Sequence, residues 1–193
     1  MTNSAFDAEA KEAALRAESE TWDTTATHDA VDGDIPVIDV SAYFAQGNLN
    51  EAFIMKSDLG IQRNENPFWR LRMTHYPPPE SPEIDDALAA YGFGIAPHVD
   101  TTFFTLLLQD SPGLTIYHTP KDRWINVPLV ENAFVVNSGE LLRQWTNDRF
   151  LSVRHFANVN ETSTTSRYSI PFFFNATRNY PMECVPSCCG PGN

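Results

Sequence analysis

The chain has 193 residues, 42% of them hydrophobic and 20% charged, enough for one globular domain with a core and too apolar for disorder throughout. Its formal charge of −12 argues against nucleic-acid binding, because backbone phosphates would repel it, and no apolar run reaches the ~18–20 residues of a membrane span. Most of that charge sits in residues 1–34, where nine acids face only Lys11 and Arg16, so the acidity describes a leader and not a binding face.

Residues 1–20 lack the charged-then-apolar layout of a secretion signal, so a cytoplasmic location is expected. Ala8 to Arg16 carries good helix formers but almost no apolar face. Thr21 to Gly33 is polar and expected to be loose. Ile35-Pro36-Val37-Ile38-Asp39-Val40 reads as a short strand with a proline near its start. Residues 41–66 show no clear pattern, and Asn64 to Pro67 reads as a turn.

From Phe68 the chain changes character. Short β-prone runs follow at residues 68–76, 93–98, 102–109, 114–118, 124–127, 133–137, 150–159 and 167–175, split by Pro, Gly and Asp. Eight short strands predict a mainly β fold, a sandwich or a jelly roll. The strongest helix candidate covers Gly139 to Thr146, where Ser138 offers an N-cap and Leu141, Leu142 and Trp145 share a face.

Three cysteines, Cys184, Cys188 and Cys189, are odd in number and fit no zinc spacing. Reduced thiols are expected in a cytosolic chain. The triplets Asn160-Glu161-Thr162 and Asn175-Ala176-Thr177 match the glycosylation pattern but are expected to go unused without a secretion signal.

Of the five histidines, two sit in chemically informative company. In His98-Val99-Asp100, a strand puts residues i and i+2 on one face, so an imidazole and a carboxylate project side by side. His155, in another strand-like run, can face them across a rolled sheet. Two imidazoles and one carboxylate suit non-haem Fe(II) and leave positions open for ligands; without a thiolate, structural zinc is disfavoured. In Arg167-Tyr168-Ser169 a guanidinium fork and a hydroxyl share a face and match a carboxylate.

Taken together, His98-x-Asp100, His155 and Arg167-x-Ser169 resemble the iron- and 2-oxoglutarate-dependent dioxygenases of the isopenicillin N synthase-like type. Flanking text agrees: Pro97 to Asp110, Gly113-Leu114, Trp124 to Pro128, Phe134 to Glu140 as a V-N-x-G-[DE] segment, and Arg167 to Phe174. Ile35 to Val40 resembles the family's opening strand. The resemblance implies a double-stranded β-helix with few helices over 68–193, behind an acidic leader (1–34) and a remnant of the N-terminal region (35–67). It implies iron on His98, Asp100 and His155, and 2-oxoglutarate with its far carboxylate on Arg167 and Ser169. O2 would be the second co-substrate. The reaction would be hydroxylation, desaturation or cyclisation of a small organic molecule, in secondary-metabolite biosynthesis. Arg72 to Pro78 resembles a strand ending in Y-P-P, whose Tyr76 would point into the cavity beside Arg72. Phe103, Leu107, Phe172 and Phe174 are candidates to help supply an apolar wall, with ordinary jelly-roll core the commoner role for any one of them.

The chain departs from that pattern in length. Fewer than 30 residues separate Val40 from Phe68, where the family has a long helical region, and Cys184 to Asn193 resembles a segment that leads into C-terminal helices. An exposed apolar sheet face is therefore expected, to be covered by a homodimer or a partner chain. Two alternatives stay open here: a truncated, inactive or accessory remnant, and an iron oxidase that needs no 2-oxoglutarate, as in isopenicillin N synthase.

Overall fold

Side chains that alternate between two faces need two sheets to bury them. The computed structural model describes residues 26–39, 68–78, 92–158, 164–176 and 181–189, and within them it is a jelly roll. The strands are β1 (Thr27–Asp29), β2 (Phe68–Leu71), β3 (Thr74–Tyr76), β4 (Phe93–His98) and β5 (Phe104–Gln109), then β6 (Leu114–His118), β7 (Arg123–Asn126), β8 (Val135–Ser138), β9 (His155–Asn158) and β10 (Arg167–Asn175). One sheet has the order β1-β7-β6-β9-β4. The other has the order β2-β10-β5-β8, with β3 also pairing with β10. A short helix, α1 (Glu140–Trp145), follows β8.

β10 is the spine of the second sheet. It pairs antiparallel with β5 on one side and with β2 and β3 on the other. The run predicted as one strand over 68–76 is broken at Arg72 and Met73. There it passes Pro171, which has no N–H to give; only the Arg72 N–H bonds across, to the Pro171 carbonyl (3.0 Å).

An aromatic cluster of Phe93, Trp124 and Phe156, joined by Ala96 and Tyr117, packs the first sheet. Its rings meet edge to face, Phe93 on Phe156 at 5.2 Å and Trp124 on Phe156 at 5.0 Å between centroids. Alternation puts the neighbours His155 and Ala157 on the opposite face, which lines a cavity between the sheets.

The second sheet has the opposite problem on its outside. Trp69, Leu71, Leu108, Val136 and Tyr168 are exposed there, Val136 to 65%. The apolar face expected from the sequence is therefore present.

Several local expectations are corrected. Residues 35–39 form no strand, and Ile38 is 77% exposed. Instead β1 forms inside the stretch expected to be loose. It pairs in parallel with β7, and Asn126 Nδ2 donates to Asp29 (3.2 Å). Lys121 also pairs with Asp34. The strand predicted over 150–159 contracts to β9. Ser138 ends β8 rather than capping α1; Gly139 takes the N-cap position, and the Ser138 hydroxyl donates to the Leu151 carbonyl (2.6 Å). Cys184 and Cys189 are joined in a disulfide with Cα atoms 6.2 Å apart, in place of the reduced thiols expected, while Cys188 is free and buried. The 3-10 turn Pro186–Cys188 folds the chain back between them, which a compartment argument does not see. The helix candidate at 8–16, the stretch 41–66, the turn at 64–67 and the 160–162 triplet lie outside the described residues. Among the described residues no helix is long and apolar enough to cross a membrane.

Candidate active site

His98 ends β4 and His155 begins β9, and the two are register partners on adjacent antiparallel strands. Their rings lie 4.4 Å apart between centroids. The sequence reading put them across the barrel from each other; they are neighbours in one sheet. Each Nδ1–H donates to the carbonyl two residues earlier, His98 to Ala96 (2.8 Å) and His155 to Val153 (3.0 Å). That fixes the tautomer and leaves both Nε2 lone pairs free to ligate. Burial pushes the His155 pKa below its ordinary value, and the neighbouring His98 adds to the effect. The ring therefore stays neutral, the form that binds a metal.

Asp100 lies beyond the end of β4, so strand alternation is not what aims it. Its Oδ2 accepts from Thr105 Oγ1 (2.6 Å) and Asn137 Nδ2 (2.8 Å). Its Oδ1 is turned to the histidines, 3.8 Å from His98 Nε2 and 3.9 Å from His155 Nε2. Its carbonyl accepts from the Glu140 N–H at the start of α1 (2.8 Å). Three candidate ligand atoms thus lie within 4.8 Å of one another, two imidazole nitrogens and one carboxylate oxygen. With no thiolate, that donor set fits a divalent metal such as Fe(II).

The triad opens on a cavity between the two sheets. Arg167 and Ser169 line its far wall and are 8% and 4% exposed. Arg167 Nε donates to the Ser111 carbonyl (3.2 Å) and Nη2 to Gln109 Oε1 (3.1 Å). Its Nη1 is buried with no partner among the described residues. A buried guanidinium N–H without an acceptor is costly, and a carboxylate in the cavity would satisfy it. The donor set and this orphaned atom both fit an iron and a 2-oxo diacid. Tyr76, the register partner of Arg167, stacks its ring under that guanidinium at 4.9 Å and lines the same cavity.

The apolar wall is partly as expected. Leu107 lines it, but Phe172 and Phe174 point away: Phe172 packs on Trp69 and Phe174 on Phe104. Arg167 and Ser169 face inward, so Pro171 and Phe173 do too, and those are the lining residues. Phe103 is buried against Trp145. Sequence reasoning missed Thr105 and Asn137; the V-N-x-G-[DE] segment contained Asn137 without revealing its role. Thr105→Val is expected to weaken metal binding by about 10–100-fold with little loss of stability, read by anaerobic Fe(II) titration.

Over residues 68–176 the chain matches the sequence model of the 2OG-Fe(II) oxygenase superfamily. It is 41% identical over 123 residues to the 2-oxoglutarate-Fe(II) type oxidoreductase hxnY of Emericella nidulans, covering 63% of this chain and 34% of that protein. It is 34% identical over 137 residues to the 2-oxoglutarate-dependent dioxygenase tropC of Talaromyces stipitatus, covering 70% and 39%. Among solved structures it is similar to a full-length Neurospora crassa protein in complex with alpha-KG and thymine, with a TM-score of 0.56, 30% identity, and 65% of this chain and 38% of that one covered. It is also similar to JOX2 in complex with 2OG, Fe and JA, with a TM-score of 0.57, 29% identity, and 70% and 37% covered. The chain spans little more than a third of the length of the curated relatives it matches.

Proposed function

Because the chain belongs to the 2OG-Fe(II) oxygenase superfamily, we propose that it is an Fe(II)- and 2-oxoglutarate-dependent oxygenase of small organic molecules. His98, Asp100 and His155 hold the iron in this reading. Arg167 and Ser169 hold the far carboxylate of 2-oxoglutarate, and Tyr76 flanks it. The observation that carries the reading is the convergence of three ligand atoms in the same cavity as a buried, half-satisfied guanidinium.

When bound, the iron supplies oxygen activation coupled to decarboxylation of the 2-oxo acid, the step that oxidises the substrate. The chain's own residues do the positioning. The Ala96 and Val153 carbonyls hold both imidazoles with Nε2 toward the cavity. Thr105 and Asn137 keep Oδ1 of Asp100 presented. Gln109 and Ser111 pin two of the Arg167 nitrogens and aim the third. Ile95, Leu107, Ile116 and Phe173 keep water away from the reacting centre.

Similarity to fungal 2-oxoglutarate-dependent dioxygenases, tropC of Talaromyces stipitatus and citB of Monascus ruber, supports the oxygenase reading, which we extend to secondary-metabolite tailoring. The reading also takes 68–193 as the catalytic domain, with a leader at 1–34 and an N-terminal remnant at 35–67, in a cytoplasmic enzyme. It further expects a second copy or a partner chain over the exposed sheet face.

The test is an anaerobic Fe(II) titration with and without 2-oxoglutarate, followed by succinate release in air with a panel of small molecules. Absence of Fe(II) binding at micromolar concentration ends the reading. Turnover without 2-oxoglutarate removes its co-substrate half. Arg167→Gln is expected to weaken 2-oxoglutarate binding by one to two orders of magnitude, the ~1.5–3 kcal/mol of a hydrogen bond to a charged group, and to leave Fe(II) affinity unchanged.

A further inference from the structure

The roles above leave Arg72 unused. It stands between β2 and β3, two residues before Thr74 and four before Tyr76, so all three share a face. Its side chain lines the cavity with theirs. The residue is exposed, which puts it toward the cavity opening. Several other cations of the chain are engaged: Arg167 by Gln109 and Ser111, Arg143 by Glu140 and Asp148, Lys121 by Asp34. The Arg72 guanidinium has no hydrogen bond or ion pair among the described residues. The one acid among the described cavity-lining residues is Asp100, whose Oδ2 is saturated and whose Oδ1 faces the histidines.

Charge decides what Arg72 is for. In the loaded site the iron and Arg167 are balanced by Asp100 and the two carboxylates of 2-oxoglutarate. Arg72 adds one positive charge that nothing on the described wall balances. Much of the rest of the cavity lining, Ile95, Leu114, Ile116 and Val135 among it, is apolar and gives an anion inside no other partner. We propose that Arg72 is a substrate-binding residue that takes a carboxylate of the substrate in its guanidinium fork. The substrate class is then a small molecule with one carboxylate, held toward the opening, and an apolar body directed at the triad. This inference rests on the oxygenase reading and narrows it.

The experiment uses the full chain loaded with Mn(II), which does not turn over, and N-oxalylglycine, an inert 2-oxoglutarate analogue that fills the Arg167 subsite. Phenylacetate and its uncharged amide, phenylacetamide, are titrated by calorimetry. The wild type is expected to prefer the acid by about tenfold or more. Arg72→Gln is expected to erase that preference, and Arg72→Lys to keep part of it, with Mn(II) and N-oxalylglycine affinities unchanged in both. Equal binding of acid and amide, no binding of the acid, or a preference that survives Arg72→Gln overturns the inference. So does a fall in N-oxalylglycine affinity in Arg72→Gln, which would assign the residue to the co-substrate. Failure of the wild type to take up Mn(II) is a separate result: it removes the oxygenase reading, and this inference with it.

Discussion

Asp100→Asn is expected to lower Fe(II) affinity more than ~100-fold, beyond what loss of an outer-shell partner costs, while the fold survives. The two oxygens of Asp100 do different jobs. Oδ2 accepts two hydrogen bonds, donated by Thr105 and Asn137. Oδ1 faces two imidazole lone pairs. In the variant the amide oxygen must take the Oδ2 place to keep both bonds. Its NH2 group then points at the histidines and offers them hydrogens. A donor then stands where the proposed metal ligand stood, and the described cavity lining loses its one negative charge. The metal-free variant keeps the original bonds and no longer buries a charge. Its thermal midpoint should therefore stay within ~2–4 °C of the wild type, the equivalent of about 1 kcal/mol in a chain of this size. Anaerobic Fe(II) titration and metal-free melting curves check the two halves. Wild-type metal affinity in this variant would mean that Asp100 is no ligand.

The grouping of the candidate site residues was legible because it depends on residue type at a few intervals. His98, Asp100, His155, Arg167 and Ser169 are all in one cavity. What was not legible needs a partner strand or a parity count. The β1 segment reads as polar and loose until it meets β7, nearly a hundred residues on. Phe172 and Phe174 were placed on the cavity wall although Arg167 and Ser169 fix the opposite parity. Counting in twos from Ser169 gives Pro171 and Phe173, as observed. The aim of the Asp100 carboxylate was taken from strand geometry. It comes instead from Thr105 and Asn137, on β5 and β8, and no interval in the sequence announces that. The apolar outer face of the β10 sheet was anticipated, and among the described residues no helix backs it.

Gly139→Ala tests how far the metal triad depends on the loop that carries it, and both stability and metal affinity are expected to fall. The φ of Gly139 is −105°, so any residue tolerates its backbone conformation. Space is what requires glycine. A Cβ there would stand 2.1 Å from the Thr102 carbonyl oxygen, 2.7 Å from its carbonyl carbon and 2.8 Å from its Oγ1. Two of those atoms are backbone and cannot rotate away. Three hydrogen bonds hold this approach closed: Gly139 N–H to Phe103 O (3.0 Å), Glu140 N–H to Asp100 O (2.8 Å) and Leu141 N–H to Thr102 O (3.1 Å). They take up the free N–H groups at the start of α1 in place of a side-chain cap. A methyl group has to pry the segment 100–103 off the helix, which stretches these bonds and shifts Asp100 from the histidines. Overpacking of about 3 kcal/mol lowers Tm by roughly 6–12 °C in a chain of this size. The signature differs from that of Asp100→Asn, where metal binding fails and the melting curve stays put. A Gly139→Ala protein that melts with the wild type and binds Fe(II) normally would show that the loop and α1 can separate without disturbing Asp100.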